Sequence, residues 1–322
     1  MADTIHIAIP AVGDAFKFYA QVTAYTAKRD SSLPIEIHYI SECDFARALQ
    51  TTNFKPQTFS AYHGSSITWS RLFLPELFPD LDWILSCDAD IMFLGDIAEL
   101  WKLKNSICSI RSTRLNEIWA LPSRDNPLPG LPYNQASVGW LAEKGLVLKH
   151  PEEYFCAGLT LFNLKAMREG GWSQMRDEFI AKYGIDGLHD ADQCLLNWLL
   201  RDHRKLLPRQ WGLFSGDENA DIDWAKPCAV HFVEDTPWKR WKCTHLASDL
   251  YELWWSAAHE VIKQVRPASH FITSKYKYKG CKSRLDYFWR RAVYLFLKHN
   301  QWILRLHPKL WLHLRSTRGV RR

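Results

Sequence analysis

No apolar run in this chain of 322 residues reaches the roughly 18 residues that a helix needs to cross a bilayer, so no transmembrane helix is expected. The opening MADTIHIAIP has no basic stretch ahead of an apolar core, so no signal peptide is expected either. No two cysteines form a C-x-x-C pair: the eight, at 43, 87, 108, 156, 194, 228, 243 and 281, are scattered. That spacing argues against a zinc ribbon or a disulfide framework and fits reduced thiols in a cytosol. There is no internal repeat and no low-complexity tract, which argues against a solenoid. Acid is nearly missing from one region: residues 275–322 hold fourteen Lys and Arg against a single acid, Asp286. The net charge of +6 therefore hides a mildly acidic globule joined to a strongly basic tail.

What is present suffices for a large core, with 47% hydrophobic and 14% aromatic residues. Ile5 to Pro10, Ile35 to Ile40, Asp82 to Cys87 and Phe155 to Leu164 read as strands. Ala15 to Ala27, Ile67 to Leu77 and Ile97 to Leu103 read as helices, and another follows Asp192 with Cys194, Leu195, Trp198 and Leu199 on one face. Leu115 to Tyr133 reads as a long loop. Strands alternating with helices indicate an α/β domain whose sheet is mostly parallel, and such sheets bind ligands at the carboxyl ends of their strands. A compositional break near 265–275 divides a domain over 1–265 from a tail over 266–322.

The densest chemical signal is Trp83-Ile84-Leu85-Ser86-Cys87-Asp88-Ala89-Asp90. An apolar strand ends in two aspartates one residue apart. In extended backbone, residues i and i+2 share a side, so Asp88 and Asp90 can converge on one hard cation while Ala89 turns away. A divalent cation offsets the repulsion of two carboxylates and leaves positions for phosphate oxygens, which suits Mn²⁺, with Mg²⁺ as the alternative. Alone, a D-x-D is weak evidence, because most such pairs are solvated turn carboxylates.

Four further segments, taken in order with D-x-D, resemble the family 8 retaining glycosyltransferases. This group includes bacterial lipopolysaccharide galactosyl- and glucosyltransferases. An Arg precedes D-x-D by seventeen residues, at Arg71. The stretch YFCAGLTLFNLKAMRE matches a strand motif of the family at Phe155, Ala157, Gly158, Asn163, Leu164 and Arg168. Asp192, Gln193, Leu196 and Asn197 match D-Q-D-x-L-N. His231, Phe232, Pro237 and Trp238 match a late histidine segment. The resemblance spans roughly residues 3–245.

It implies a GT-A type nucleotide-sugar-binding domain, a mostly parallel mixed sheet flanked by helices. It implies a retaining hexosyltransferase that takes glucose or galactose from a UDP-sugar to a saccharide acceptor, in lipopolysaccharide or other surface-glycan synthesis. It assigns Asp88, Asp90 and His231 to the metal, and Gln193 and Asp192 to the reacting sugar. Asp14, His63, Arg71, Ala89, Ala157, Gly158 and Lys239 become donor contacts. Plainer readings stand beside these: a core histidine at 231, a helix N-cap at Asp192, an exposed helix arginine at 71. The chain also departs from the pattern. Cys156 replaces the family's Asn in the strand motif, the uridine-reading acidic-Asn pair is reduced to Asp14, and Lys239 or Arg240 stands in for the phosphate-binding lysine.

In the tail, Leu285, Phe288, Trp289, Ala292, Val293 and Phe296 recur at helical spacing, with Arg290, Arg291 and Lys298 off that stripe. This pattern fits a basic amphipathic helix lying on an anionic membrane, and a cytoplasmic enzyme peripheral on the inner membrane with a lipid-linked acceptor. A helix packed on the domain is the alternative. No nucleic-acid motif accompanies the charge. Two rival functions remain at this point. One is a haloacid-dehalogenase-like Mg²⁺-dependent phosphatase using D-x-D with Gly216, Asp217 and Asp221, though that motif asks for Thr or Val where Met92 stands. The other is a non-catalytic glycan- or membrane-binding protein.

Overall fold

The computed structural model describes residues 3–55, 58–59, 65–107, 118–122, 135–186, 188, 190–214, 227–232 and 245–265. The chain divides into two compact units, residues 1–232 and residues 233 onward. Of the second, the described part is a long helix, His245–Val265, whose Leu250, Trp254, Ala257, Ala258 and Val261 recur along one stripe. The basic tail lies outside the described residues. Among the described residues, no helix is long and apolar enough to cross a membrane.

The first unit opens with β1 (Ile5–Pro10), α1 (Gly13–Arg29), β2 (Ile35–Ile40) and α2 (Glu42–Leu49). Ser41 caps α2 by accepting from the Asp44 N–H, and Asp44 returns the bond to the Ser41 N–H, a reciprocal box that marks the helix start. A 3-10 segment, Ile67–Phe73, runs into the short α3 (Leu74–Leu77). The sequence pattern predicts one α-helix over this whole stretch. The difference has two causes. Pro75 has no N–H to give the Arg71 carbonyl, and the Leu72 carbonyl is occupied by the Trp172 indole at 2.7 Å and by Arg176 at 3.1 Å. Then follow β3 (Trp83–Cys87), β4 (Ile91–Phe93), α4 (Ile97–Trp101) and α5 (Lys104–Ile107), so the helix expected over Ile97 to Leu103 forms over Ile97–Trp101 and a second short one follows it. Next come β5 (Ile118–Pro122), α6 (Gln135–Glu143), β6 (Phe155–Asn163), α7 (Leu164–Glu169), α8 (Trp172–Tyr183), α9 (Asp192–Leu199), β7 (Arg204–Leu206), β8 (Leu213–Phe214) and β9 (Ala229–His231). Strand β5 falls within the expected loop of 115–133; the rest of that loop is outside the described residues.

Six strands form one mixed sheet in the order β2-β1-β3-β6-β5-β7. β1 runs parallel to β2 and β3, and β5 to β7, while β6 is antiparallel to both β3 and β5. A small second sheet, β4-β9-β8, branches off just after the aspartates. The alternation in IHIAIP sends Ile5, Ile7 and Ile9 to one face of the large sheet. On the other face Ala8, Ile84, Ala120 and Phe162 join a buried cluster with Phe45, Phe59, Trp69 and Phe73. Phe59 packs edge-on to Phe45 and Phe73 at 5.5 Å, the arrangement aromatic quadrupoles favour. This packing fixes the 3-10 segment that carries Arg71 beneath the carboxyl end of β3.

Candidate active site

Asp88 follows β3 directly and Asp90 directly precedes β4, so the D-x-D is the short joint between the two sheets. Three sets of bonds hold it. The Asp88 N–H donates to the Gly158 carbonyl at 2.8 Å, and the Phe232 N–H donates to the Asp90 carbonyl at 3.0 Å. From beneath, the buried Thr23 hydroxyl of α1 lies 3.0 Å from the Ala89 carbonyl and 2.8 Å from that of Ile91. Each such bond contributes about 1 kcal/mol, so the joint is rigid before any ligand arrives.

The antiparallel register of β4 and β9 places His231 opposite Ile91. The imidazole thereby faces both aspartates, with Nε2 3.2 Å from Asp90 Oδ1 and 3.8 Å from Asp88 Oδ2. Asp88, Asp90 and His231 bring one ligand atom each within 4.8 Å of the others. Room for the ring exists because residue 158 is glycine: a Cβ there would lie 2.4 Å from His231 Cε1 and 3.0 Å from Asp88 Oδ2. Asp90 Oδ1 is buried with no hydrogen-bond partner among the described residues, even though His231 Nε2 is near. A buried carboxylate oxygen with no well-aligned hydrogen bond, packed against a second carboxylate, is costly as a purely structural arrangement. It fits a divalent cation of mixed N/O preference. Burial alone would lower the His231 pKa, but Asp90 and then Cys156 outweigh it and raise it well above its ordinary value. Burial raises that of Asp88, and the neighbouring Asp90 adds to the rise against the pull of Arg71.

Arg71 is 4% exposed, so the exposed helix arginine of the plainer reading is not what forms. Its guanidinium pairs with Asp88 through Nη2 and with Asp192 through Nη1 at 2.8 Å, and its Nε donates to Ser86 at 3.3 Å. Burial pushes Asp192 up to about 7 against the attraction of Arg71. Burial opposes the charge on Arg71 as well, but Asp192 and Asp88 together outweigh it and raise its pKa.

Asp192 is the first residue of α9 rather than its cap; Ala191 holds that position at φ 47° and ψ −124°. A residue other than glycine at positive φ is strained, and such strain persists only where neighbours impose it. Here Asp190 is held by the Ser137 hydroxyl at 2.6 Å and by the Tyr154 hydroxyl at 3.3 Å. The bend fixes Gln193. Its Oε1 accepts from the Ala157 N–H at 2.9 Å, and its Nε2 donates to Asp190 at 3.3 Å. Asn197 locks α9 to β6 through both the N–H and the carbonyl of Phe155, each at 2.8 Å.

The structure thus brings Asp88, Asp90, His231, Arg71, Ala157, Gly158, Asp192 and Gln193 to one edge of the sheet. Asp14 lies exposed in the first turn of α1, which leaves β1 at the same edge. Ala89 is buried, its carbonyl taken by Thr23. Cys156 lies 3.7 Å from His231 Nδ1, at the side of the ring away from the aspartates. His63, Lys239, Arg240 and the Gly216, Asp217 and Asp221 set of the phosphatase reading lie outside the described residues. Nothing in the sequence singles out Thr23, Ser86, Ser137 or Asp190 as site residues. Each is a small polar residue whose role depends on a partner 15 to 68 positions away, and no local pattern marks it.

The sequence matches the Glycosyl transferase family 8 profile over residues 15–242. No match is found among curated proteins. Among solved structures, the chain is similar to the galactosyltransferase LgtC in complex with donor and acceptor sugar analogues. The TM-score is 0.58 at 18% identity, covering 83% of this chain and 99% of that one. Mouse xyloside xylosyltransferase 1 aligns with a TM-score of 0.51 at 14% identity, over 73% of this chain and 99% of that one. The glycosyltransferase GlyE of Streptococcus pneumoniae gives 0.51 at 18% identity, over 85% of this chain and 63% of that one. At these identities the structural likeness speaks for the fold, and the profile match, which spans most of the chain, speaks for the family. The aspartates between two sheets are then the joint of a GT-A fold, the phosphatase reading gives way, and the chain belongs to glycosyl transferase family 8 as a glycosyltransferase.

Proposed function

We propose that the enzyme moves a hexosyl group, glucosyl or galactosyl, from a UDP-sugar to a saccharide acceptor with retention of configuration. The work would belong to the synthesis of lipopolysaccharide or another bacterial surface glycan. The observation that carries this reading is the convergence of Asp88, Asp90 and His231 beside a buried Arg71 and an oriented Gln193. Asp88, Asp90 and His231 hold Mn²⁺, with Mg²⁺ as the alternative. When bound, the cation supplies Lewis-acid neutralisation of the diphosphate leaving group.

The other roles follow from what each side chain can reach. Arg71 has five N–H groups, three of them engaged among the described residues, and offers the remainder to donor phosphate. Asp14, His63, Ala89, Ala157, Gly158 and Lys239 line the donor, the last supplying charge to the diphosphate. Asp192 accepts from sugar hydroxyls and otherwise anchors Arg71. Gln193 has one amide lone pair committed to Ala157 and a second to turn towards positive charge developing at the anomeric carbon. An amide is too weak a nucleophile to favour a covalent glycosyl-enzyme. The acceptor hydroxyl therefore attacks from the side the diphosphate leaves: the bond from the anomeric carbon to phosphate breaks, the one to the acceptor oxygen forms, and the departing phosphate takes the proton. The basic tail holds the enzyme on the cytoplasmic face of the inner membrane near a lipid-linked acceptor. Cys156, where related enzymes carry an amide, leaves the donor sugar open within this class.

The test is UDP release from a panel of UDP-sugars, with and without Mn²⁺. Metal-dependent UDP release from UDP-glucose or UDP-galactose supports the reading. Release of free phosphate from phosphomonoesters, or no turnover of any sugar nucleotide, contradicts it.

A further inference from the structure

A second group of metal-ligating side chains lies far from the aspartates. The parallel register of β1 and β2 pairs His6 with Glu36 and Ala8 with His38. Residues i and i+2 of a strand share a face, so Glu36 and His38 stand side by side on the edge strand with His6 next to them. His6 Nδ1 and His38 Nε2 are 3.1 Å apart. The Glu36 carboxylate lies beside both rings, its Oε2 3.6 Å from His6 Nδ1 and its Oε1 3.9 Å from His38 Nε2. Zinc bonds of about 2.0–2.2 Å to nitrogen and oxygen set neighbouring ligand atoms about 3.3–3.6 Å apart in a tetrahedron. The observed separations bracket that span, so small ring rotations suffice.

We propose that His6, Glu36 and His38 form a second cation site, selective for a borderline divalent ion of the Zn²⁺ type. The donor set decides the ion. Two imidazoles and one carboxylate suit Zn²⁺ and its late transition-metal neighbours, whereas Mg²⁺ and Ca²⁺ ask for oxygen. Two features pre-orient the site. Phe78 packs against the His38 ring at 4.9 Å and limits its rotation, and the hydrogen bond between the two imidazoles already holds one nitrogen of each ring beside the other. Both histidine side chains are about one-fifth exposed and Glu36 is 59% exposed, which leaves an approach from solvent and a position for water. With neutral rings, the proton between the nitrogens moves to the far nitrogen of its own ring as the ion enters. The site is distinct from the aspartate joint. Ala8 pairs with Ser86, so His6 lies about four residues, roughly 13 Å along the strands, below the level of Asp88. Its effect is to fasten the edge strand β2 to β1.

The experiment uses the full-length chain and Zn²⁺ alone as the probe, by competition with a chromophoric chelator, with the Asp88→Asn protein as the background that weakens the aspartate site. Zn²⁺ should bind this background, and both His6→Gln and His38→Gln added to it should weaken binding at least tenfold. Glu36→Gln, at an exposed position where folding is not at stake, should weaken it several-fold. In the otherwise wild-type chain, the same three substitutions should leave binding of Mn²⁺ with UDP unchanged. Co²⁺ in place of Zn²⁺ should give visible absorption that His38→Gln removes. Zn²⁺ binding that none of the three substitutions alters, or no Zn²⁺ binding by the Asp88→Asn protein, overturns the proposal and leaves an ordinary histidine–histidine hydrogen bond.

Discussion

One guanidinium, that of Arg71, joins the end of β3 to the start of α9 by engaging Ser86, Asp88 and Asp192. Removing it strands two carboxylates, one of them, Asp192, almost fully buried. Breaking such a pair costs about 3–5 kcal/mol, so Arg71→Met should lower the urea midpoint by that equivalent. The loss should depend on pH. Asp192 has a folded pKa of about 7 against 3.8 for the free side chain, so the folded protein binds the proton more tightly than the unfolded chain. Stability from this group therefore falls as pH rises through that window, and without Arg71, whose charge lowers the Asp192 pKa, the fall continues to higher pH. Urea melts at pH 5 and pH 8 should show Arg71→Met closer to wild type at pH 5; an equal loss at both would contradict this. At this scale the sequence was legible where residues carry unusual spacing, as Asp88 and Asp90 do, or fall in a segment that resembles the family, as Gln193 does. The side chains that orient them, Thr23 and Asp190, were not, because a lone threonine or aspartate has no signature until its distant partner is known.

Elements were legible wherever periodicity and burial agreed. IHIAIP and IEIHYI alternate, and both form strands over the expected residues. The segment from Ile67 to Leu77 misled because its pattern is helical while Pro75 and the side chains on the Leu72 carbonyl hold it in a 3-10 turn. The pairing of β4 with β9 was not legible either. Both strands are three residues long, too short for a pattern, yet their register aims His231 at the aspartates. Strand β6 contributes by what it lacks. A methyl group at Gly158 would stand 2.4 Å from His231 Cε1, below any normal contact. Gly158→Ala should therefore swing the imidazole out of the triad and weaken Mn²⁺ binding at least tenfold. Its circular dichroism should stay unchanged, since the pairing of β3 with β6 does not use the side chain. Unaltered Mn²⁺ affinity in this variant would mean that His231 is not a ligand.

For the whole molecule, the uneven charge sets the expectation. Fourteen basic residues in the last 48, with apolar residues interleaved, should draw the full-length chain to vesicles containing anionic lipid. Each basic residue near the surface contributes about 1 kcal/mol, screened by salt. Co-sedimentation should fall as salt rises but not to zero, because Phe288, Trp289 and Phe296 add apolar contact. Equal binding to neutral and anionic vesicles at low salt would exclude this role. The α/β architecture was legible from alternating elements, and the mixed sheet follows from β6 running against its neighbours. In the proposed reaction Asp88, Asp90 and His231 would hold the divalent ion that neutralises the donor's diphosphate. Equilibrium binding of Mn²⁺ in the presence of UDP, followed by the electron paramagnetic resonance of the free ion, tests it most directly. The wild-type chain should bind Mn²⁺ more tightly with UDP than without. Asp88→Asn and Asp90→Asn should each weaken binding about a hundredfold, near 2.7 kcal/mol. Wild-type Mn²⁺ affinity in both variants, with UDP still bound, would contradict the account.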